Sequence, residues 1–221
     1  MNIGIDFDNT IARYDSLFQK VAKMNRFIPE NWKGHNKKEL REYLRQQPDG
    51  EITWMKLQGL VYGKYMHGAE MMLGVANFFL SCKVRNHRIL IVSHKTEYGH
   101  YDPKKISLRN EALKWMEIRR FFDPEYFGLD MEDVFFAETR EEKVKIIARL
   151  NCGWFIDDLP EVFEEKLFPP DTKKILFGSY KPEFFHNTTI LNSWRKISEK
   201  ILGQTTNKDI TAWSKLVLDE P

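Results

Sequence analysis

Apolar residues in this chain gather into five short continuous runs instead of alternating with polar ones: 2–6 (NIGID), 88–93 (RILIVS), 133–137 (DVFFA), 153–157 (GWFID) and 174–178 (KILFG). Strands that are apolar on both sides belong in a sheet covered on both faces, which is the parallel kind. Helical periodicity fills the later intervals, as ISLRNEALKWMEIRRFF after the second run, REEKVKIIARL after the third and PEVFEEKL after the fourth. Strand and helix in alternation predict an α/β fold, a Rossmann-like doubly wound parallel sheet.

The interval between the first two runs exceeds what one crossover helix needs. The stretch 68–87 (GAEMMLGVANFFLSCKVRNH) is expected to be that helix, with Met72, Val75, Ala76, Phe79 and Leu80 on its apolar face. Residues 14–66 then form a small helical insert after the first strand, and 1–13 with 67–202 form the core. Three helical segments are expected in the insert, broken at Pro29, at 32–34 and at Pro48-Asp49-Gly50. Its aromatics Trp32, Trp54, Tyr62 and Tyr65 are read as its own small core. Residues 203–221 are polar with one apolar patch and receive no role.

Composition narrows the class. The 221 residues are 42% hydrophobic, enough for a core. Thirty-four Lys and Arg against 32 Asp and Glu leave a net charge of +2, which predicts no pull toward a nucleic acid polymer or a membrane. The insert carries ten basic against six acidic residues over 15–66, an excess that could draw in an anionic substrate but on helices is usually just a solvated face. Cys82 and Cys152 match no metal spacing and are read as reduced thiols. Met1 leads into a strand without a basic and apolar leader, and no run reaches the ~18 residues of a membrane span. A cytoplasmic protein is the expectation.

In open parallel sheets, ligands bind beyond the carboxyl ends of the strands. The first strand ends in Asp6, Asp8 and Thr10, the second in Ser93, His94, Lys95 and Thr96. Glu138, Thr139 and Arg140 follow the third, with Lys143 just inside the next helix, and Asp157-Asp158 closes the fourth. Two carboxylates as close as Asp6 and Asp8 repel unless a cation intervenes. Hard oxygen ligands at ~2.1 Å suit Mg²⁺, and Mn²⁺ also fits the set. A carboxylate beside such an ion can attack phosphorus, with Ser93 and Lys143 holding the phosphate oxygens. Thr139 and Glu142 form a capping box that starts the helix, so Lys143 lies in its first turn, against the helix dipole. Local rules are broken in this way where function overrides them.

These motifs resemble the haloacid dehalogenase (HAD) superfamily. IDFDNT is similar to its DxDxT opening, ILIVSHK to its second motif, Lys143 to its third-motif lysine, and FIDDLPEV to its acidic fourth motif. The resemblance covers roughly 1–178, and the insert resembles the superfamily's helical C1 cap. It implies a Mg²⁺-dependent phosphatase acting on a small phosphorylated metabolite through an aspartyl-phosphate. Asp6 would be nucleophile and metal ligand. Asp8 would be general acid/base, also offering its carbonyl to the metal, with Thr10 orienting it. Ser93 would bind phosphate, and Lys143 would pair with Asp6 and the phosphoryl group. Asp158 would be the more direct metal ligand, with Asp157 supporting the lysine. His94 and Lys95, next to the second motif, are assigned to substrate, while His100, Tyr101 and Arg109 are read in a solvated loop. A 5'-nucleotidase, a phosphomutase and a non-catalytic Mg²⁺/phosphate-binding module remain alternatives.

Overall fold

The computed structural model describes residues 1–181 and 187–217, except the side chains of 215–217. The chain divides into two compact units, 1–12 with 71–94 and 119–221, and 13–70 with 95–118. Of the tail 203–221, residues 218–221 lie outside the described residues.

The first unit is built on a six-stranded parallel sheet. Its strands are β1 (Asn2–Ile5), β4 (Arg88–His94), β5 (Val134–Ala137), β6 (Trp154–Asp157), β7 (Lys173–Phe177) and β8 (Thr188–Leu191). Their order is β5-β4-β1-β6-β7-β8, which puts the amino-terminal strand in the middle. Ile5 pairs with Ile91 on one side and Ile156 on the other, so β1 and β6 end nearly level while β4 runs on to His94. Gly4 allows that spacing, because a Cβ there would lie 2.4 Å from the Phe155 ring on β6.

The five strands read from the sequence are present with ends shifted by one residue at most. The sixth, β8, is a half-buried edge strand of sequence TTIL whose two threonines break the apolar pattern. Short helices α6 (Arg140–Arg149) and α7 (Pro160–Phe163) supply Val144, Ile147, Val162 and Phe163 to a core against Val92, Phe155 and Leu176. Helix α4 (Val75–Val84) starts later than the sequence suggests. Gly74 precedes it at φ +92, and Met72 sits in the approach to the helix, its N–H donating to Ile11 O. Helices α8 (Trp194–Leu202) and α9 (Asn207–Val217) pack on α4. Phe78 of α4 meets the Trp194 ring at 5.1 Å. A 3-10 turn, Met131–Asp133, leads into β5. Cys82 and Cys152 are buried free thiols, and burial pushes the Cys152 thiol up to about 11.

The chain leaves this unit within β2 (Ala12–Arg13) and returns within β3 (Glu70–Met71). The second unit holds α1 (Asp15–Met24), α2 (Lys37–Arg45), α3 (Gly50–Tyr62), the 3-10 turn Met66–Gly68 and α5 (Leu108–Ile118). Phe18 stacks on Trp54 at 5.2 Å and Tyr14 meets Tyr62 edge-on at 5.0 Å, an aromatic core of its own. Trp32 lies outside it, against Tyr43. Helix α5, which the strand–helix alternation assigns to the core, groups with this unit. Leu108, Ala112, Trp115 and Met116 are buried, and Trp115 Nε1 donates to Ala69 O. Among the described residues, no helix is long and apolar enough to cross a membrane.

The carboxy-terminal segment, which carries no sequence motif, is fastened by one arginine. Arg85, just past α4, donates to both Asp209 oxygens and to the carbonyls of Leu202 and Gln204. Trp213 Nε1 donates to Asn77 O and Ser81 Oγ. Burial alone would raise the Asp209 carboxyl, but bonds from Arg85 and Thr206 outweigh it and hold it well below the usual range. Removing one partner of a buried pair strands the other, so Arg85→Ala is expected to cost about 3 kcal/mol in urea melts. Because the folded-state pKa is depressed, the wild-type contribution is full above about pH 4 and fades as pH falls further, and Arg85→Ala should flatten that acid limb.

Candidate active site

The loop after β1 is a tight turn. Ile11 and Ala12 both donate to Phe7 O, and Asn9 takes a left-handed conformation at φ +59, which asparagine tolerates. Asp6, buried, remains tied to the sheet through its N–H to Ile156 O. From the other side of β1, Ser93 is fully buried, and its Oγ lies 3.5 Å from Asp8 Oδ2, the long limit of a hydrogen bond.

The third contribution comes from α6. Thr139 caps it, with the Thr139–Glu142 capping box formed as the sequence predicts. Val144 and Ile147 anchor the helix in the core, which turns Lys143 inward to 1% exposure. Its Nζ donates to Asp6 Oδ1 at 2.5 Å and to Asp157 Oδ2 at 2.6 Å. Burial works against the ammonium, but the Asp157 and Asp6 charges prevail and raise its pKa above the ordinary lysine value.

Asp157 has both oxygens engaged, Oδ2 by Lys143 and Oδ1 by the Leu159 N–H at 2.9 Å. Asp158 is less buried, and its main-chain carbonyl accepts from Tyr180 Oη at 2.6 Å. One carboxylate oxygen from each of Asp6, Asp157 and Asp158 falls within 4.8 Å of the others. Burial holds the Asp6 carboxyl well above the ordinary range; Lys143 opposes this, while Asp157, Asp158 and Asp8 add to it. One ammonium thus faces several carboxylates, and an all-oxygen set with excess negative charge fits a hard divalent cation.

Asp6, Asp8, Ser93, Lys143, Asp157 and Asp158 therefore share the carboxyl edge of three adjacent strands. Thr10 departs from its expected part. Its hydroxyl is buried without a hydrogen-bond partner, so it makes no bond to Asp8, and its carbonyl accepts from Trp194 Nε1. His94 is exposed, its Nε2 2.8 Å from Glu138 O. Lys95 belongs to the second unit, where it is buried with Nζ 4.7 Å from the Tyr62 ring centre. Arg109 donates to Lys95 O there. Sequence reasoning missed Tyr180, although it stands just past the end of β7 in KILFGSY, where reading one more strand end would have reached it.

No protein-family model matches the sequence, and no curated protein matches it significantly. Solved structures do match. A family IA, variant 3 HAD hydrolase from Entamoeba histolytica superposes with a TM-score of 0.55 at 11% identity, over 96% of this chain and 99% of that one. A HAD-hydrolase from Bacillus subtilis gives 0.53 at 12% identity over 90% and 97%. A HAD family hydrolase from Deinococcus radiodurans gives 0.52 at 10% identity over 90% and 94%. The chain has the fold of the HAD-superfamily hydrolases.

Two outcomes are expected. Replacing an unpartnered hydroxyl by a methyl group costs no hydrogen bond, so Thr10→Val should melt at the wild-type temperature or above it in calorimetry. The raised pKa of Asp6 means the folded state binds its proton more tightly than the unfolded chain does. In EDTA this carboxyl should therefore subtract stability as pH rises from about 4, so the gain in melting temperature on adding Mg²⁺ should grow with pH above that point and shrink in Asp6→Asn.

Proposed function

We propose that the protein is a Mg²⁺-dependent phosphatase that hydrolyses a small phosphomonoester through an aspartyl-phosphate on Asp6. The observation that carries this reading is the sharing of Lys143 between Asp6 and Asp157, beside Asp158 and one strand away from Ser93. A binding module has no use for a buried carboxylate held next to both a lysine and a second aspartate two residues on. The fold agrees: the Deinococcus radiodurans neighbour holds phosphate and sodium, and the Bacillus subtilis neighbour is bound to magnesium.

Asp6, Asp158 and the Asp8 carbonyl would hold the ion, since both oxygens of Asp157 are engaged within the protein. When bound, the divalent cation neutralises charge on the phosphoryl oxygens. The protein's own groups do the rest. A carboxylate oxygen of Asp6 attacks phosphorus as the bond to the leaving oxygen breaks, and the Asp8 carboxyl gives that oxygen its proton. Ser93 Oγ donates to a phosphoryl oxygen, and Lys143, whose charge favours the carboxylate form of Asp6 against the pull of burial, balances the charge of the intermediate. Asp8, now a carboxylate, takes a proton from water, which attacks phosphorus and releases inorganic phosphate, restoring Asp6.

The test is phosphate release from nucleotides, sugar phosphates and small metabolite phosphates, with Mg²⁺ and with EDTA. Release that needs Mg²⁺ is expected, with none from Asp6→Asn and a loss of about 10²–10⁴-fold in Asp8→Asn. Equal turnover by Asp6→Asn and wild type would overturn the covalent route.

A further inference from the structure

Asp158 stands in a loop whose direction is set by two contacts. Leu159 N–H closes on Asp157 Oδ1 at 2.9 Å and fixes how the chain leaves β6. Tyr180 Oη, donating to Asp158 O at 2.6 Å, fixes the peptide that carries the Asp158 side chain. Asp157 is further secured by Lys143. We infer that Tyr180 is a positioning residue for the divalent cation, holding the Asp158 peptide so that its carboxylate faces Asp6 and Asp157. This rests on the reading of the carboxylate cluster as a Mg²⁺ site.

The approach to Tyr180 is built for this contact. Leu176 pairs with Asp157 across β6 and β7, so the two strands end together. Gly178 then donates to Leu191 O on β8 and takes φ +148, a conformation costly for other residues. A Cβ at 178 would stand 2.8 Å from the Tyr180 ring, so the absence of a side chain there leaves room for the ring to reach back to Asp158. The half-buried phenol donates to the main-chain oxygen of Asp158. Its effect is therefore on the geometry of the metal ligand, the kind of outer contact whose loss weakens metal binding by about 10–100-fold.

The experiment is calorimetric titration of Mg²⁺ into wild type, Tyr180→Phe, Gly178→Ala and Asp158→Asn, with each protein's melting temperature taken in EDTA. Tyr180→Phe keeps the ring and removes only the hydroxyl. It should melt like wild type in EDTA yet bind Mg²⁺ about tenfold more weakly. Its phosphate release should recover at saturating Mg²⁺, with the Mg²⁺ requirement shifted by the same factor. Gly178→Ala, which displaces the ring, should weaken Mg²⁺ binding likewise, and Asp158→Asn should weaken it more. Wild-type affinity in Tyr180→Phe, whatever its melting temperature, would overturn the role of Tyr180 and leave the metal site standing. Failure of wild type to bind Mg²⁺ at all would overturn the metal reading and this inference with it.

Discussion

A single ammonium group holds this site together. Lys143 is almost wholly removed from water and is shared by carboxylates that come from two adjacent strands, Asp6 after β1 and Asp157 at the end of β6. Taking such charges out of water is expensive, and only close mutual contact offsets the cost. Each group is consequently placed by something stronger than itself: β1 and β6 by the sheet, Lys143 by the capping box and apolar face of α6. The lysine sits in a first turn that ordinarily favours negative charge. The pull of two carboxylates and the packing of Val144 and Ile147 override that preference.

Around this pair the scaffold acts through spacing. Gly4 leaves room for the Phe155 ring, and Lys143 Nζ lies 5.6 Å from that ring's centre, so the core beneath the site also touches the ammonium. The carboxylates that exceed what one lysine can balance are the ones nearest solvent. Where counter-charge runs out, carboxylate oxygens gather, and the Leu159 N–H on Asp157 and the Tyr180 hydroxyl on Asp158 O tie down the chain that carries them.

Much of this was legible in the sequence because burial on both faces leaves continuous apolar runs, and because the residue after each run falls at one edge of a parallel sheet. Asp6, Ser93 and Asp157 could be brought together on that rule alone. β8 escaped because an edge strand need not be apolar. The start of α4 was misplaced because the left-handed turn at Gly74 is a matter of backbone angle, not of periodicity. An amphipathic pattern says that α5 buries one face, but not which neighbour it chooses. Tyr180 could be reached as a residue just past β7, but its contact could not, because the partner is a main-chain carbonyl, a group every residue has. The Thr10 hydroxyl shows the opposite failure: a residue type suited to donate a hydrogen bond need not make one.

The central position of β1 also bears on how the chain acquires its structure. Strand β1 has no neighbour in the sheet until 88–94 is made, and its second neighbour, 154–157, comes about 60 residues later. Contacts between residues so distant in sequence carry a large loop-closure entropy, and folds dominated by them form slowly. The aspartate at the end of that strand therefore meets its lysine late, and until 154–157 pairs with it β1 keeps an unpaired backbone edge open to any other chain with a free strand.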